Sequence, residues 1–477
     1  MHDARSFDLV VLGSGAVGQT AAYNGRERGK SVLVVEAGDF GGTCPNRGCD
    51  AKKPYVHAAA VVHAVRRLQA AGAGVTGELR MDWGETAAFK KSFTRVVDPA
   101  TREDLLAAGV EIHHGTAAFT GLDALELCDG RRVAFGAVVI ATGERPRPAG
   151  FPGGELAIDS DAFLALDDLP NSVCFVGAGY IGMEFACAAA MAGREVTVVS
   201  SNEHPLHGFD VDSVKVLEES LPTLGPHGVR LVRGARATRL ERRGDRVAVF
   251  TDGDEPAAVA HLVVNATGRV PSVEGLNLEA AGVEASRKGV KVGDTLRCPG
   301  NPRVWAGGDV AGTGRPALIP TAVADARLLV RNLAAADAGE PLEELERIPP
   351  ATVAFTIPTL ASVGVTEAEA REAHGDAIHL SAGRLETKKF YRQLGVEHAS
   401  YKLVFDADRR LIGAHLAGPG SEEVINAFAV ALHECCDEDR LCDGILTYPT
   451  VTAAIQSAYR KVAKHRKECG TRQSPGS

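Results

Sequence analysis

Gly13-Ser-Gly-Ala-Val-Gly18 stands between two apolar runs, Asp8-Leu-Val-Val-Leu12 and Ser31-Val-Leu-Val-Val35, and Glu36 closes the second. In order this reads as strand, glycine turn, Ala-rich helix to about Gly29, strand and acid. That βαβ unit commits the chain to a parallel sheet with helices packed on it. Gly13 makes the tight turn, Gly15 lets backbone approach a pyrophosphate, and Gly18 lets helix and strand pack closely. The helix N-terminus faces the phosphates, and Glu36 is placed for ribose hydroxyls. An ordinary Gly-rich turn is the bland alternative. The complete order of elements makes a nucleotide site the better reading.

The pattern occurs twice. Val173–Val176 leads into Gly177-Ala-Gly-Tyr-Ile-Gly182, a helix carrying Glu184, and a further strand, Glu195–Val199. Glu36 lies 18 residues beyond Gly18, and the same step from Gly182 lands on Ser200. No carboxylate stands there to grip a 2′-hydroxyl and repel a 2′-phosphate. Ser201, Asn202, His204 and His207 offer hydrogen bonds, Glu203 does not help, and the turn holds no Arg or Lys. This favours NADPH, with NADH possible. A second echo flanks the second fingerprint, Val138-Val-Ile-Ala-Thr-Gly143 and Val263-Val-Asn-Ala-Thr-Gly268.

After the first unit comes Gly41-Gly-Thr-Cys-Pro-Asn-Arg-Gly-Cys49. Cys44 and Cys49 are expected at the start of a helix running through Tyr55 to Leu68. An entering loop plus one helical turn brings such residues within disulfide reach, and a helix N-terminus favours thiolate. The placement suggests a thiol pair exchanging electrons with a bound cofactor, against two unconnected buried thiols. His57 and His63 are not at i, i+4 spacing, and adjacent His113 and His114 point to opposite faces of a strand. No metal site is expected.

At 477 residues the chain has room for two to four domains. A net charge of -9 argues against nucleic acid or anionic membrane as partner. No apolar run approaches the roughly 20 residues that cross a bilayer. Ten cysteines are too sparse for a disulfide scaffold and point to a reducing, cytoplasmic setting. The N-terminus shows no basic region, apolar stretch and cleavage site in order, so no secretory signal is expected. The tail after about Lys464 is expected to fray.

These motifs, with Gly307-Gly-Asp309, Phe355-Thr-Ile-Pro-Thr, Val363-Gly-Val-Thr-Glu367, Lys402-Leu-Val and Gly413-Ala-His-Leu, resemble the flavoprotein disulfide reductases. That family includes glutathione reductase, dihydrolipoamide dehydrogenase and mercuric reductase, and the resemblance runs from about Phe7 to Tyr459. It implies an α/β fold with two Rossmann-like dinucleotide-binding domains and an α+β C-terminal dimerisation domain. The FAD domain is expected at 1–150 and 273–345, the NAD(P)H domain at 151–272, the interface domain at 346–465 and a flexible tail at 466–477. A homodimer reducing a small-molecule electron acceptor is implied.

Residue by residue, the resemblance implies Cys49 as the flavin-proximal thiol and Cys44 as the outer, exchanging one. Lys53 matches a Lys near the flavin, with Glu184 as its ion-pair partner. Asp309 matches the ligand of the ribityl chain, with Gly308 beside it, and Arg269 a cofactor-contacting Arg. Ala16, Gly42, Thr43, Ala117, Thr142 and Gly143 fall among the first cofactor's contacts. Gly179, Tyr180, Ile181, Ser201, His207 and Gly268 fall among the second's.

Two departures stand out. Ala51-Lys52 replaces the family's usual Pro-Ser. At the C-terminal end Tyr448-Pro-Thr-Val-Thr-Ala453 puts Tyr448 where disulfide-reducing members have a His, and Ala453 where they have its orienting Glu. A phenol, with an ordinary pKa near about 10, is a poor base at neutral pH but can donate a hydrogen bond. Mercuric reductases share the Tyr and add a vicinal Cys pair at the C-terminus. Here the tail has only Cys469. Cys435-Cys436, with His433 and Cys442 near, reads as helical and incidental. The leading expectation is an NAD(P)H- and FAD-dependent enzyme passing electrons through Cys44–Cys49 to an unusual disulfide or thiol-reactive compound. The rivals are a diaphorase or metal-ion reductase, and a redox-sensing flavoprotein.

Overall fold

The computed structural model describes residues 5–460. The expected tail, with Cys469, and the last residues of the interface segment lie outside the described residues. The chain divides into two compact units: residues up to 54 with 87–147 and 268–347, and residues 55–86 with 148–267 and those from 348 onward.

The first unit is built on a seven-stranded sheet. Arg5–Leu12 lies between Val32–Glu36 and Arg132–Ile140, parallel to both, and Glu111–His114 extends the sheet beyond Val32–Glu36. Arg132–Ile140 is long enough to use its outer edge twice. Its first residues pair antiparallel with Ala124–Leu127, its last pair parallel with Val304–Ala306. Strands with both faces covered need apolar residues at every position. Leu9 and Val11 face a core shared with Val17, Ala21 and Ala22 of helix Ala16–Glu27 and Ala322, Ala326 and Leu329 of helix Ile319–Ala338. Val10 and Leu12 face the opposite core, with Phe119, Phe135 and Val138. Each such Val or Leu, fully buried, contributes about 1.5–3 kcal/mol. The helix lies close to the sheet because its inner face is small: a Cβ on Gly25 would come within 2.9 Å of Leu9.

The second unit holds a five-stranded parallel sheet in the order Val229–Val232, Glu195–Val199, Ser172–Val176, Leu262–Asn265, Ile158–Asp159. A three-stranded antiparallel meander covers 239–260. The same unit contains an antiparallel sheet of Thr352–Ala354, Leu360–Gly364, Leu411–Ala417, Ser400–Phe405 and His379–Arg384. Helix Ser421–His433 packs Val424, Ile425 and Phe428 into that sheet's core. Thr366 opens helix Glu367–His374 with a complete capping box, as its spacing from Glu369 predicts.

Two local expectations are corrected. Cys44 does not lie on the helix that carries Cys49. It sits in its own five-residue helix, Thr43–Arg47, and Gly48 breaks the chain before helix Cys49–Ala70 begins. Cys435 and Cys436 are not helical. Helix Ser421–His433 stops before them, and Cys435 takes a left-handed φ of 50°.

Candidate functional site

The fingerprint loops account for the recurring Ala-Thr-Gly turns. Gly13, at φ 102°, packs on the strand end so closely that a Cβ would lie 2.3 Å from the Ala141 carbonyl oxygen. Gly177, at φ 111°, stands in the same relation to Ala266, again at 2.3 Å. Gly18 and Gly182 close the turns, where a Cβ would lie 2.0 and 2.1 Å from the carbonyl oxygens of Gly13 and Gly177. Each echo supplies the small residue against which its fingerprint turns.

Both helices start on a glycine, Gly15 and Gly179, with no side-chain cap. Their first N–H groups therefore remain for an anion, and the helix dipole favours one there. Around the first helix, Gly42 at φ 77° lies against Gly15, a Cβ there meeting Gly15 Cα at 2.6 Å. Glu36 accepts from Ser14 N at 2.8 Å, Ser14 Oγ at 2.7 Å and Gly38 N at 2.8 Å. Gly115 N donates to the Glu36 carbonyl, which sets Ala117 on the strand beginning two residues later. Thr142 Oγ1 donates to Ser272 O at 2.7 Å and Ser272 N to Gly143 O at 2.9 Å, so the chain leaves and re-enters this unit beside itself. Glu144–Pro146 and Arg269–Pro271 pair there as a short ribbon.

Gly307 N donates to Ile140 O, placing Gly308 and Asp309 just past the carboxyl end of the sheet. Asp309 is held above the usual carboxylate range by burial, against the pull of Arg269. Glu144 is raised likewise by burial and then by Asp309. Arg269 Nη2 donates to Glu144 O at 2.8 Å. Sequence reasoning missed two residues here. Glu144 carried no motif signal. Asp325, 1 % exposed, accepts from Gly308 N at 2.9 Å and pairs with Arg315. It lies on a helix 17 residues downstream, where only the fold reveals its role. Asp325→Ala, which removes the acceptor for Gly308 N, should loosen Gly308 and lower FAD affinity by at least about tenfold. The flavin-to-protein absorbance ratio after gel filtration reads this, and an unchanged ratio rejects it.

The cysteine loop is tied down by Asn46, whose Nδ2 donates to Phe40 O and Gly42 O at 3.0 and 2.9 Å. Cys44 is half-buried and Cys49 exposed, and both are thiols. The Cys44 thiol is held well above its ordinary pKa, first by its hydrogen bond with Cys49 and then by burial. Its Sγ also lies 3.7 Å from Asp50 Oδ2, an acceptor at hydrogen-bond reach for sulfur. Lys53 follows Cys49 by one helical turn, on the same face.

In the second unit Glu184 is buried and accepts from Phe355 N at 2.9 Å. Tyr180 begins the second fingerprint helix, and burial, then Glu184, pushes its phenol up to about 12. Ile181 stands next to it. Ser200 is buried, its hydroxyl turned back on Asn202, while Ser201 and His207 are exposed. Tyr448 also belongs to this unit and is 70 % exposed. Burial pushes His63 down to about 4, as suits a packing residue. Among the described residues no cluster of three or more His, Cys, Asp or Glu is placed to hold a metal ion.

Two dinucleotide folds, a thiol pair on the first and an antiparallel domain at the C-terminal end define a flavin-linked reductase. The chain belongs to the pyridine nucleotide-disulphide oxidoreductases. The description of that family matches residues 7–326, and that of its dimerisation domain residues 350–459. It is 31% identical over 467 residues to dihydrolipoyl dehydrogenase 2 of Haloarcula marismortui, covering 94% of this chain and 95% of that one. It is 30% identical over 448 residues to glutathione reductase of a Nostoc species, covering 89% and 93%. A solved structure of similar fold is the Cu(II) complex of a mutant HOCl-induced flavoprotein disulfide reductase, RclA, from Escherichia coli. Its TM-score is 0.84 at 23% identity, covering 96% of this chain and 100% of that one. Members of the family use FAD and NAD(P)H, and the uncapped helices and glycine cradles here fit both. No described helix is long and apolar enough to cross a membrane.

Proposed function

We propose that this chain oxidises NADPH and passes the electrons through a Cys44–Cys49 pair to a small disulfide or another thiol-reactive acceptor. For a disulfide the balance is NADPH + H⁺ + RSSR → NADP⁺ + 2 RSH. The observation that carries this reading is the placement of Cys44 and Cys49 on either side of Gly48, at the starts of two successive helices, in a loop whose Gly42 abuts the first nucleotide fingerprint. Bound FAD supplies the two-electron relay between nicotinamide and thiol pair. Cys44 attacks one acceptor sulfur, releasing the other as a thiol and forming a mixed disulfide. Cys49 then attacks Cys44, expelling the second thiol and leaving the Cys44–Cys49 disulfide for the next reduction.

Asp309, Gly308, Arg269, Lys53 and the residues of the first fingerprint are assigned to FAD. Tyr180, Glu184, Ser201, His207 and the second fingerprint are assigned to NADPH. The missing carboxylate at Ser200 supports NADPH over NADH. The dimerisation domain supports a homodimer. The proton chemistry departs from disulfide-reducing relatives, since Tyr448 and Ala453 stand in place of an acid–base pair. Asp50 is the carboxylate beside the exchanging thiol, and Tyr448 keeps the role of hydrogen-bond donor.

The test is an acceptor screen of low-molecular-weight disulfides, quinones and metal ions under NADPH and under NADH. Disulfide turnover preferring NADPH is expected. Turnover confined to quinones identifies a diaphorase, and no turnover with any acceptor identifies a redox sensor.

A further inference from the structure

The turn after Glu195–Val199 lacks a cation in its own sequence, but the fold brings one to it. Glu195–Val199 and Val229–Val232 pair in parallel, with Val199 opposite Val232. Beyond that pair the two strand ends are laced together. Ser200 N donates to Val232 O at 2.8 Å, Ala235 N to Ser200 O at 2.7 Å and Gly234 N to Asn202 O at 3.1 Å. Arg233 therefore stands beside Ser200, at the carboxyl end of the sheet where a dinucleotide's adenosine ribose lies.

Its guanidinium is partly tethered. Nη2 lies 3.4 Å from Oε2 of Glu218, while the side chain as a whole is 42% exposed. Glu218, 8% exposed, comes from helix Val211–Ser220, and its other oxygen is 3.1 Å from His204 Nδ1. One buried carboxylate thus holds a guanidinium and an imidazole at the same strand ends. The opposing charge on the turn is Glu203, whose carboxylate lies beside Gly234.

We propose that Arg233 binds the 2′-phosphate of NADPH, with His204 beside it and Glu218 as the positioning residue that orients both. This rests on the NADPH reading above and names the group that enforces it. Guanidinium is the fitting chemistry. It stays charged, presents five donors in a planar fork, and can give one arm to Glu218 and others to a phosphate. The hydroxyls of Ser200 and Ser201 bring no charge, so without Arg233 the site has little to set against a dianion. A plainer account is that Arg233 only neutralises Glu218.

Calorimetry on the FAD-loaded full chain separates these. The probes are 2′,5′-ADP, which carries the phosphate in question, and 5′-AMP, which lacks it. Arg233→Gln is expected to weaken 2′,5′-ADP by about 10- to 100-fold and leave 5′-AMP unchanged. Arg233→Lys, which keeps the charge without the fork, should fall between. An unchanged affinity for 2′,5′-ADP, or an equal loss for both probes, overturns the assignment to Arg233. Wild-type protein that binds the two probes equally overturns the NADPH reading itself.

Discussion

Cys44→Ser is expected to lower NADPH-dependent disulfide reduction by at least about a thousandfold, because it removes the attacking atom itself. A serine hydroxyl ionises far less readily than a thiol, whose ordinary pKa is about 8.5, and it cannot close a disulfide with Cys49. Three readouts follow. Steady-state turnover with a disulfide should vanish. The two thiols that wild-type protein gains on treatment with NADPH, counted with a thiol reagent, should not appear. Flavin content should stay as in wild type, because Cys44 lies in its own short helix, Thr43–Arg47, and the turn of Gly13 and Gly18 does not depend on its sulfur. A quinone activity that survives the substitution while disulfide activity is lost would show the flavin still receiving electrons. Disulfide reduction that persists in the serine variant sinks the proposed route.

The reduced pair adds a pH signature. The Cys44 proton is held by the hydrogen bond with Cys49 and by burial, so this thiol ionises later than an ordinary one. Disulfide turnover should therefore rise toward alkaline pH, where attack by Cys44 is limited by loss of that proton.

The second large effect is on stability. Lys402→Met should destabilise the second unit by about 3–5 kcal/mol, because it breaks a buried ion cluster by removing one sign of charge. Lys402 Nζ lies 2.9 Å from Asp210, 2.7 Å from Asp212 and 2.8 Å from Glu367. The lysine and Asp210 side chains are 4% and 2% exposed, whereas Asp212 is 54% exposed and contributes little. Burial alone would push the ammonium down. The hydrogen bonds it donates to Asp212, Glu367 and Asp210 outweigh burial and hold Lys402 above its ordinary value.

The sign of the pH dependence follows from the carboxylates. Hydrogen bonds from Lys402 hold Asp212 and Glu367 below their ordinary values. The stability they confer is present above about pH 4.5, the unfolded value, and is lost as pH falls through the folded ones. Without the ammonium these acids gain by taking up a proton. The gap between wild type and Lys402→Met, read by urea denaturation, should be widest near neutrality and narrow toward pH 4. A gap that is small at neutral pH rejects the cluster as a source of stability.

Much of this protein was legible from residue order. Apolar runs covered on both faces, with glycines at three set positions between them, allow only the βαβ turn, because other residues would collide with backbone at Gly13 and Gly18. The Ala-Thr-Gly echoes were visible as repetition, though their physical role was not. Packing of the first fingerprint glycine on the alanine carbonyl joins residues more than 80 positions apart. Cys44 stands apart from the Cys49 helix because Gly48 interrupts the run. Its backbone, at φ -126° and ψ -127°, leaves the helical region and starts a second one.

The sequence by itself determined the class of chemistry: two nucleotide folds, a cysteine pair after the first, and a C-terminal end without its usual acid–base residues. Those are local patterns, and local sterics and ionisation decide them. Only the tertiary structure decided which charges meet. Asp325 reaches Gly308, Asp50 sits beside the Cys44 thiol, and Arg233 comes to a turn that has no cation of its own. These meetings depend on strand register and helix placement, which are settled by burial of side chains far along the chain.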